Sequence, residues 1–169
     1  MAKKLIYKLH STVGVISDKL NSIAEIISII IGIVLLGSLS MGVFSRYVIK
    51  NPYIWTEEIA RFCMIWLTFI GGSVAMKQRE LVNFSVLIDS IPAKFSKFLR
   101  LVNTLLIILF IAIFLRYGID ALKLFMRMKA SATGLSLFWP SVGLYLGAIF
   151  MLVHSIHMLL EQAISMRKN

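Results

Sequence analysis

The sequence predicts an all-α integral membrane protein with four transmembrane helices and additional amphipathic helices at the membrane interface. Hydrophobic residues make up 59% of the 169 residues, and the mean hydropathy is +0.86. One small soluble core could not bury that much apolar surface. Four stretches are each long and apolar enough to be membrane spans, and we treat residues 1–169 as a single membrane domain.

The first two spans are predicted at about residues 23–45 and 57–76. Residues 26–45 are twenty uncharged residues in a row, enough to cross about 30 Å of hydrocarbon at roughly 1.5 Å per residue. Residues 62–76 are fifteen uncharged residues that follow a short charged segment. The second span therefore begins at a group of ionisable side chains.

The third and fourth spans are predicted at about residues 99–125 and 139–161. The third is uncharged for fifteen residues before Arg116, and it reaches residue 125 only if Arg116 and Asp120 are tolerated in the helix. The fourth contains no charge except titratable histidines before its last residue, and Pro140 suits its first turn. Four spans place both chain ends on one side of the membrane.

Two further segments, at about residues 3–20 and 81–97, are amphipathic at helical spacing. Apolar side chains recur every three or four residues in both, which is typical of a helix that lies in the membrane interface. Pro92 is expected to kink or split the second one. The first begins with three lysines that are available for anionic lipids.

Basic residues favour an orientation with both termini in the cytoplasm. Eleven lysines and arginines lie at the termini or between spans two and three, whereas seven lie in the opposite loops. Trp55 and Trp139 mark the starts of spans two and four, as an aromatic belt would on the side opposite the termini. The net charge of +10 is then explained by topology and by affinity for membrane lipids. No nucleic-acid-binding motif accompanies it, so nucleic acid is not an expected partner.

Ionisable residues at the start of the second span form the first candidate site. Ionisable groups beside hydrocarbon are rare and need a partner, and helical spacing puts Glu57 and Glu58 within reach of Arg61. One interpretation is a helix-start device, in which both acids favour the helix dipole and Thr56 is the cap. The other is a contact with a partner subunit or with lipid headgroups, in which one acid, Glu58, meets a cation or a helix end of the partner. Arg46 or Arg61 would then hold a lipid phosphate or the second acid. The candidates for such contacts are Arg46, Trp55, Glu57, Glu58, Arg61 and Trp66.

Charged residues beyond the third span form a second candidate site. Arg116, Asp120, Lys123 and Arg127 are spaced four, three and four apart, so a continued helix would carry them as one stripe of net charge +2. The stripe is either simply solvated or a docking surface outside the membrane. Its docking candidates are Arg116, Lys123 and Arg127.

Few other residues are candidates for chemistry. Cys63 lies within an apolar helix, which indicates a buried and inert thiol. His154, His157 and Glu161 share one helical face, which fits either a metal or proton site or polar residues at the membrane interface. Glu25 is either a carboxylate that takes part in transport or a side chain that extends to the lipid headgroups. We assign no catalytic, cofactor-binding or metal-binding residue, and we expect no enzymatic activity.

Small residues spaced four apart predict close packing in three spans, and the first contains the pairs Ser28–Gly32 and Ser38–Gly42. Gly143 and Gly147 form a GxxxG pair in the fourth, and Gly71 with Ala75 forms a similar pair in the second. Such pairs let helices approach each other or a partner.

The order of motifs around the second span resembles one known family. Arg46-Tyr47 is followed by Trp-Thr-Glu-Glu-Ile-Ala-Arg at residues 55–61 and by Trp-Leu-Thr-Phe-Ile-Gly at residues 66–71, then by a basic loop and a proline-containing amphipathic segment. This order resembles the DctQ-like small membrane subunit of tripartite ATP-independent periplasmic (TRAP) transporters. Many members carry a histidine soon after the second span, where this chain has Leu81-Val82, so no role of that histidine is carried over.

The resemblance implies a multi-pass subunit of a bacterial inner membrane. It would bind a large transport subunit and receive, with it, an organic anion from a soluble periplasmic binding protein, driven by a sodium gradient. Sialic acid and C4-dicarboxylates are both within the family's range, and we favour sialic acid slightly. The charged stripe beyond the third span would then be a docking surface for the binding protein.

Two functions remain open on the residues themselves. The first is a scaffold for the large subunit, since no span offers a charged pathway for a hydrophilic solute. The second is a self-sufficient homo-oligomeric carrier or channel, in which Glu25 or the His154 face would line the pathway. Co-purification with a larger membrane protein distinguishes the two.

Overall fold

The computed structural model describes residues 2–78 and 93–167, and this part of the chain is helical without a β-strand. A five-residue π-helical turn at Ser45–Ile49 extends the first helix, and another at Leu67–Gly71 joins the second helix to the third. The helices are α1 (Ala2–Phe44), α2 (Ile54–Trp66), α3 (Gly72–Lys77), α4 (Ala93–Arg127) and α5 (Phe138–Arg167).

Four helical stretches in the described part are long and apolar enough to cross a membrane. They satisfy the predicted class of an all-α integral membrane protein, because each is longer than the roughly 20 residues that a bilayer requires. Their bounds are Leu9–Ile49, Ile54–Lys77, Phe95–Arg127 and Phe138–Ile164.

The N-terminal segment differs from the predicted pair of helices at 3–20 and 23–45. The chain forms one unbroken helix from Ala2 to Phe44. No proline separates the two predicted parts, and both have helical periodicity, so the sequence pattern contained no signal for a break. Contact of the first part with the membrane interface stays a prediction. The predicted interfacial helix at 81–97 lies largely outside the described residues, and α4 begins at Ala93.

The four stretches alternate in direction, and contacts between distant residues define the two ends of the bundle. At one end Ser38 donates a hydrogen bond to the backbone oxygen of Thr56 over 2.7 Å. At the other, Ser17 near the N-terminus and His154 near the C-terminus are hydrogen-bonded at 2.8 Å. We call the first the turn end and the second the terminal end. Both chain ends therefore lie at the same end of the bundle.

Helix α5 is the centre of the bundle, because it packs against all the other helices, whereas α4 packs mainly on α5. Close approach to α2 and α3 depends on the two glycines of the GxxxG pair. Gly143 lies against the ring of Trp66, and a Cβ at Gly147 would come within 2.5 Å of the Phe69 carbonyl carbon. The predicted close packing thus occurs within this chain.

Candidate functional site

The turn between α1 and α2 fixes the position of Arg46. Ser45 is completely buried, its hydroxyl donates to the Gly42 oxygen over 2.9 Å, and it accepts the backbone N–H of Tyr53 at 3.3 Å. Lys50 adopts a left-handed backbone with φ of 58°, and its N–H bonds back to the Ser45 oxygen. The chain therefore reverses tightly at Lys50, four residues after Arg46.

Arg46 forms an ion pair with Glu57 across this turn. Both side chains are more than half exposed, so the pair lies on the molecular surface. Helical spacing predicts that both acids reach Arg61, yet among the described residues Arg61 pairs with neither. Helical spacing allows an i,i+4 contact but does not select it over a closer cation from another helix. Beside the pair, a groove of about 140 Å³ is lined by Ser38, Leu39, Gly42, Val43, Arg46, Tyr47, Thr56 and Glu57.

Glu58 has a partner within the chain. Its carboxylate accepts the backbone N–H of Thr133 at 2.6 Å and that of Ala132 at 3.4 Å. These residues belong to the turn at 128–137, which Gly134 closes with a φ of 69° and which the bond from Ala130 N to Leu135 O, 2.8 Å long, holds together. The carboxylate of Glu58, predicted to contact a partner subunit, thus anchors the chain's own second turn. The sequence pattern did not predict this contact, although the Ser-Ala-Thr-Gly run at 131–134 has the residue types of a turn.

Thr56 is not the helix cap that the helix-start interpretation assumed. Helix α2 begins at Ile54, and the Thr56 hydroxyl donates to the Tyr53 oxygen over 2.7 Å. Thr56 is buried where α1 crosses, and a Cβ at Gly42 would lie 2.9 Å from its hydroxyl oxygen. Its role is therefore to let α1 and α2 pack closely.

The two tryptophans of the candidate site have different surroundings. Trp55 is 43% exposed and stacks on Tyr53, with 6.3 Å between ring centroids, so it remains available to lipid or to a partner. Trp66 donates its indole N–H to the backbone oxygen of Trp139 over 3.1 Å and packs on Gly143. Trp66 therefore joins the second span to the start of α5.

The charged stripe lies on α4, and all four of its residues are exposed. Lys123 pairs with Asp120 at 3.0 Å. The opposite side of the helix meets α5, where the Tyr145 hydroxyl donates to the Gly118 oxygen. The stripe thus faces away from the rest of the chain.

Polar residues at the terminal end connect three helices. His154 is completely buried, and its Nδ1 lies 2.8 Å from the hydroxyl of Ser17. Lys77 donates to the same hydroxyl over 2.9 Å and pairs with Asp18 at 2.8 Å. Because Ser17 accepts from Lys77, its own hydrogen is free to point at His154. His157 belongs to the same region and packs against His10, with 4.9 Å between ring centroids and the rings tilted by 30°.

The other candidates for chemistry are also engaged in contacts within the chain. Glu25 accepts from Asn21 at 2.7 Å and from Gln78 at 3.4 Å. Cys63 is a buried free thiol. Within residues 2–78 and 93–167, no three His, Cys, Asp or Glu side chains lie close enough to share a metal ion.

Comparison with known proteins identifies relatives along most of the chain. The family model described as "Tripartite ATP-independent periplasmic transporters, DctQ component" matches residues 35–164. The sialic acid TRAP transporter small permease protein SiaQ of Vibrio cholerae is 25% identical over 137 residues, which are 81% of this chain and 79% of that protein.

Two longer permeases also match. The sialic acid TRAP transporter permease protein SiaT of Haemophilus influenzae is 31% identical over 100 residues, 59% of this chain and 16% of that protein. The isethionate TRAP transporter permease protein DctMQ of Oleidesulfovibrio alaskensis is 26% identical over 84 residues, 50% of this chain and 13% of that protein. The chain thus resembles a small part of each of these longer proteins.

Proposed function

This chain belongs to the DctQ component family of TRAP transporters, and we propose that it scaffolds a large transport subunit for the uptake of an organic anion. The observation that carries the proposal is the family match over residues 35–164, which includes the Arg46–Glu57 pair, the second turn and all of the third span. The family is a transporter component, and we propose no catalytic role for this chain.

The proposed partner is the large TRAP membrane subunit. In SiaT and DctMQ, a segment similar to this chain is a minor part of one long permease. A separate small subunit would need a noncovalent interface to hold the same two parts together. The exposed Arg46–Glu57 pair and Trp55 are our candidates for contacts with that subunit or with lipid headgroups.

The proposed solute is sialic acid, with a C4-dicarboxylate as the second choice. Two relatives carry sialic acid in their names and a third carries isethionate, another organic anion. We further propose coupling to a sodium gradient and delivery by a periplasmic binding protein, as the family resemblance implies. The protein would lie in the inner membrane with both termini in the cytoplasm.

A scaffold role agrees with the contacts of the polar residues inside the bundle. A self-sufficient carrier would need Glu25 and His154 in its pathway. Glu25 instead accepts from Asn21 of its own helix and from Gln78 at the end of α3, and His154 bonds to Ser17 of α1. The larger groove, about 470 Å³ between α4 and α5, is lined by aromatic and aliphatic side chains apart from Ser141. Such a lining suits acyl chains better than a hydrophilic anion.

Reconstitution tests this proposal. Liposomes containing this chain alone should take up no labelled sialic acid under a sodium gradient, and uptake should begin when the large subunit and the binding protein are both present. Uptake by the chain alone would establish the homo-oligomeric carrier instead. Uptake by the large subunit and binding protein without this chain would remove the scaffold role.

A further inference from the structure

We propose that the face of α4 carrying Arg116 is covered inside the membrane by the large subunit, which supplies an acidic side chain to this guanidinium. The proposal rests on the proposed function, because it requires that partner. It also separates Arg116 from Lys123 and Arg127, which remain at the turn end of the stripe.

The length of the uncharged part of α4 places an arginine inside the hydrocarbon. Fifteen uncharged residues separate Arg100 from Arg116. They span about 22 Å along a helix, whereas the hydrocarbon core is about 30 Å thick. Tilting α4 lengthens the path through the membrane and increases the shortfall. One of the two arginines therefore has its backbone within the core.

The direction of helical side chains selects Arg116 as the deeper charge. Side chains lean toward the N-terminus of their helix, and the N-terminus of α4 is at the terminal end of the bundle. Arg100 therefore leans toward the headgroups at that end. Arg116 leans away from the headgroups at the turn end and back into the membrane.

Contacts between α4 and α5 also indicate that Arg116 lies inside the hydrocarbon. It lies one half-turn below Gly118, whose oxygen accepts the hydroxyl of Tyr145. Tyr145 lies six residues, about 9 Å, deeper than Trp139, whose oxygen holds the indole of Trp66. Trp66 is itself the fifth residue of the uncharged stretch at 62–76. Arg116 is thus level with the apolar part of the second span.

Among the described residues no acidic side chain pairs with Arg116, and Asp120, one turn away on the same face, pairs with Lys123 instead. Arg116 is two residues from Gly118 and so about 200° away on the helical wheel, on the side opposite α5. It is exposed, and among the described residues nothing forms a hydrogen bond or ion pair with it. Its neighbours on that face, Leu109 and Ala112, are apolar and exposed.

An arginine at membrane depth on an exposed helix face fits a membrane protein partner. Ionisable groups in the membrane almost always face protein or a water-filled cavity and pair with another group. A lipid phosphate at the turn end would have to be drawn inward to meet Arg116, because the side chain leans the other way. An acidic group on the large subunit would meet it at its own depth.

Photo-crosslinking tests which face is covered. A benzoylphenylalanine at Leu109, co-expressed with the large subunit, should give a crosslink to it, whereas one at Ile33 on α1, which is 66% exposed, should not. Crosslinks from Ile33 and not from Leu109 would overturn the face assignment and leave the scaffold role intact. Failure of the unmodified chain to co-purify with the large subunit would overturn the scaffold role itself.

Substitution of the arginine tests its charge. Arg116→Leu should lower the co-purified large subunit roughly tenfold or more, while Arg116→Lys retains most of it. Arg127→Leu is the matched control, because it removes the same charge from the far end of the stripe, and it should leave co-purification unchanged. If Arg116→Leu keeps the complex intact at normal or raised membrane levels, the guanidinium faces lipid and the proposal is wrong.

Discussion

The carboxylate of Glu58 accepts the backbone N–H of Thr133 at 2.6 Å, although 75 residues separate them in the chain. This bond attaches the start of α2 to the turn between α4 and α5. Glu57, its neighbour in sequence, pairs with Arg46 of the first turn instead. Two adjacent acids thus hold both turns at one end of the bundle, and the Arg46–Glu57 pair lies on the open surface.

We expect Glu58→Ala to loosen the second turn without dissociating the large subunit. The turn would lose the acceptor of two backbone N–H groups, and Lys129 within it is exposed. Trypsin should then cleave after Lys129 severalfold faster in detergent micelles. Glu57→Ala is the matched control and should leave the rate unchanged. Equal cleavage rates in wild type and Glu58→Ala would mean that the carboxylate does not anchor the turn.

Hydropathy and charge predicted the membrane spans because burial in lipid depends on the composition of each segment by itself. The choice of partners depends on contacts between segments, which composition does not contain. Glu58 was therefore matched to Arg61, one turn away, when its partners lie on the turn at 132–133. For the same reason Trp66 was a predicted contact for a partner subunit or lipid, although its indole N–H bonds to the backbone oxygen of Trp139.

The Arg46–Glu57 pair should respond to charge reversal. Arg46→Glu or Glu57→Arg alone places like charges together, and exchanging both restores the attraction. Because the pair is exposed, its coupling free energy within this chain should be only about 0.2–1 kcal/mol. A double-mutant cycle on thermal unfolding in detergent measures it.

The same three variants also test the proposed contact of this pair with the large subunit. If Arg46 and Glu57 each contact the large subunit, the double variant with exchanged charges should still co-purify less of that subunit than wild type. Full recovery of co-purification would show that only the internal pair matters.

The Ser17–His154 bond should stabilise the terminal end modestly. Both residues are completely buried, and Ser17→Ala removes a hydrogen-bond partner from His154 and from Lys77. Hydrogen bonds between membrane helices couple by about 0.6 kcal/mol on average and by at most about 1.7 kcal/mol. The coupling free energy from a double-mutant cycle of Ser17→Ala and His154→Phe should fall within this range. Additive effects of the two substitutions would show that the bond contributes nothing.

Gly147→Ala should destabilise the bundle because α5 approaches the second span there without room for a side chain. The new Cβ would lie within 2.6 Å of the Phe69 oxygen, a backbone atom that cannot rotate away. Overpacking of this kind costs about 1–3 kcal/mol, so the unfolding midpoint should fall. Gly37→Ala is the matched control, because a Cβ at Gly37 meets nothing within 4 Å. Equal unfolding midpoints in Gly147→Ala and Gly37→Ala would mean that α5 and the second span move apart at no cost in free energy.

The turn end of the charged stripe is the predicted docking surface for the periplasmic binding protein. Lys123 and Arg127 are exposed on the face of α4 that points away from α5, and Asp120 neutralises part of their charge. Charges at the edge of an interface mainly change the association rate and its salt dependence. Lys123→Glu/Arg127→Glu should therefore reduce uptake when the binding protein is scarce and recover as its concentration rises, with a weaker salt dependence than wild type.

Uptake by the reconstituted complex, measured as a function of binding-protein concentration at two ionic strengths, tests this prediction. Met126→Gln is the control, since it changes an exposed neighbour without changing the charge. Membrane levels of each variant are compared first, so that a loss of uptake is not a loss of protein. If the doubly reversed variant matches the control at every concentration and both ionic strengths, Lys123 and Arg127 are only solvated. A deficit that excess binding protein does not relieve would place their role after docking, because saturation removes any effect on association.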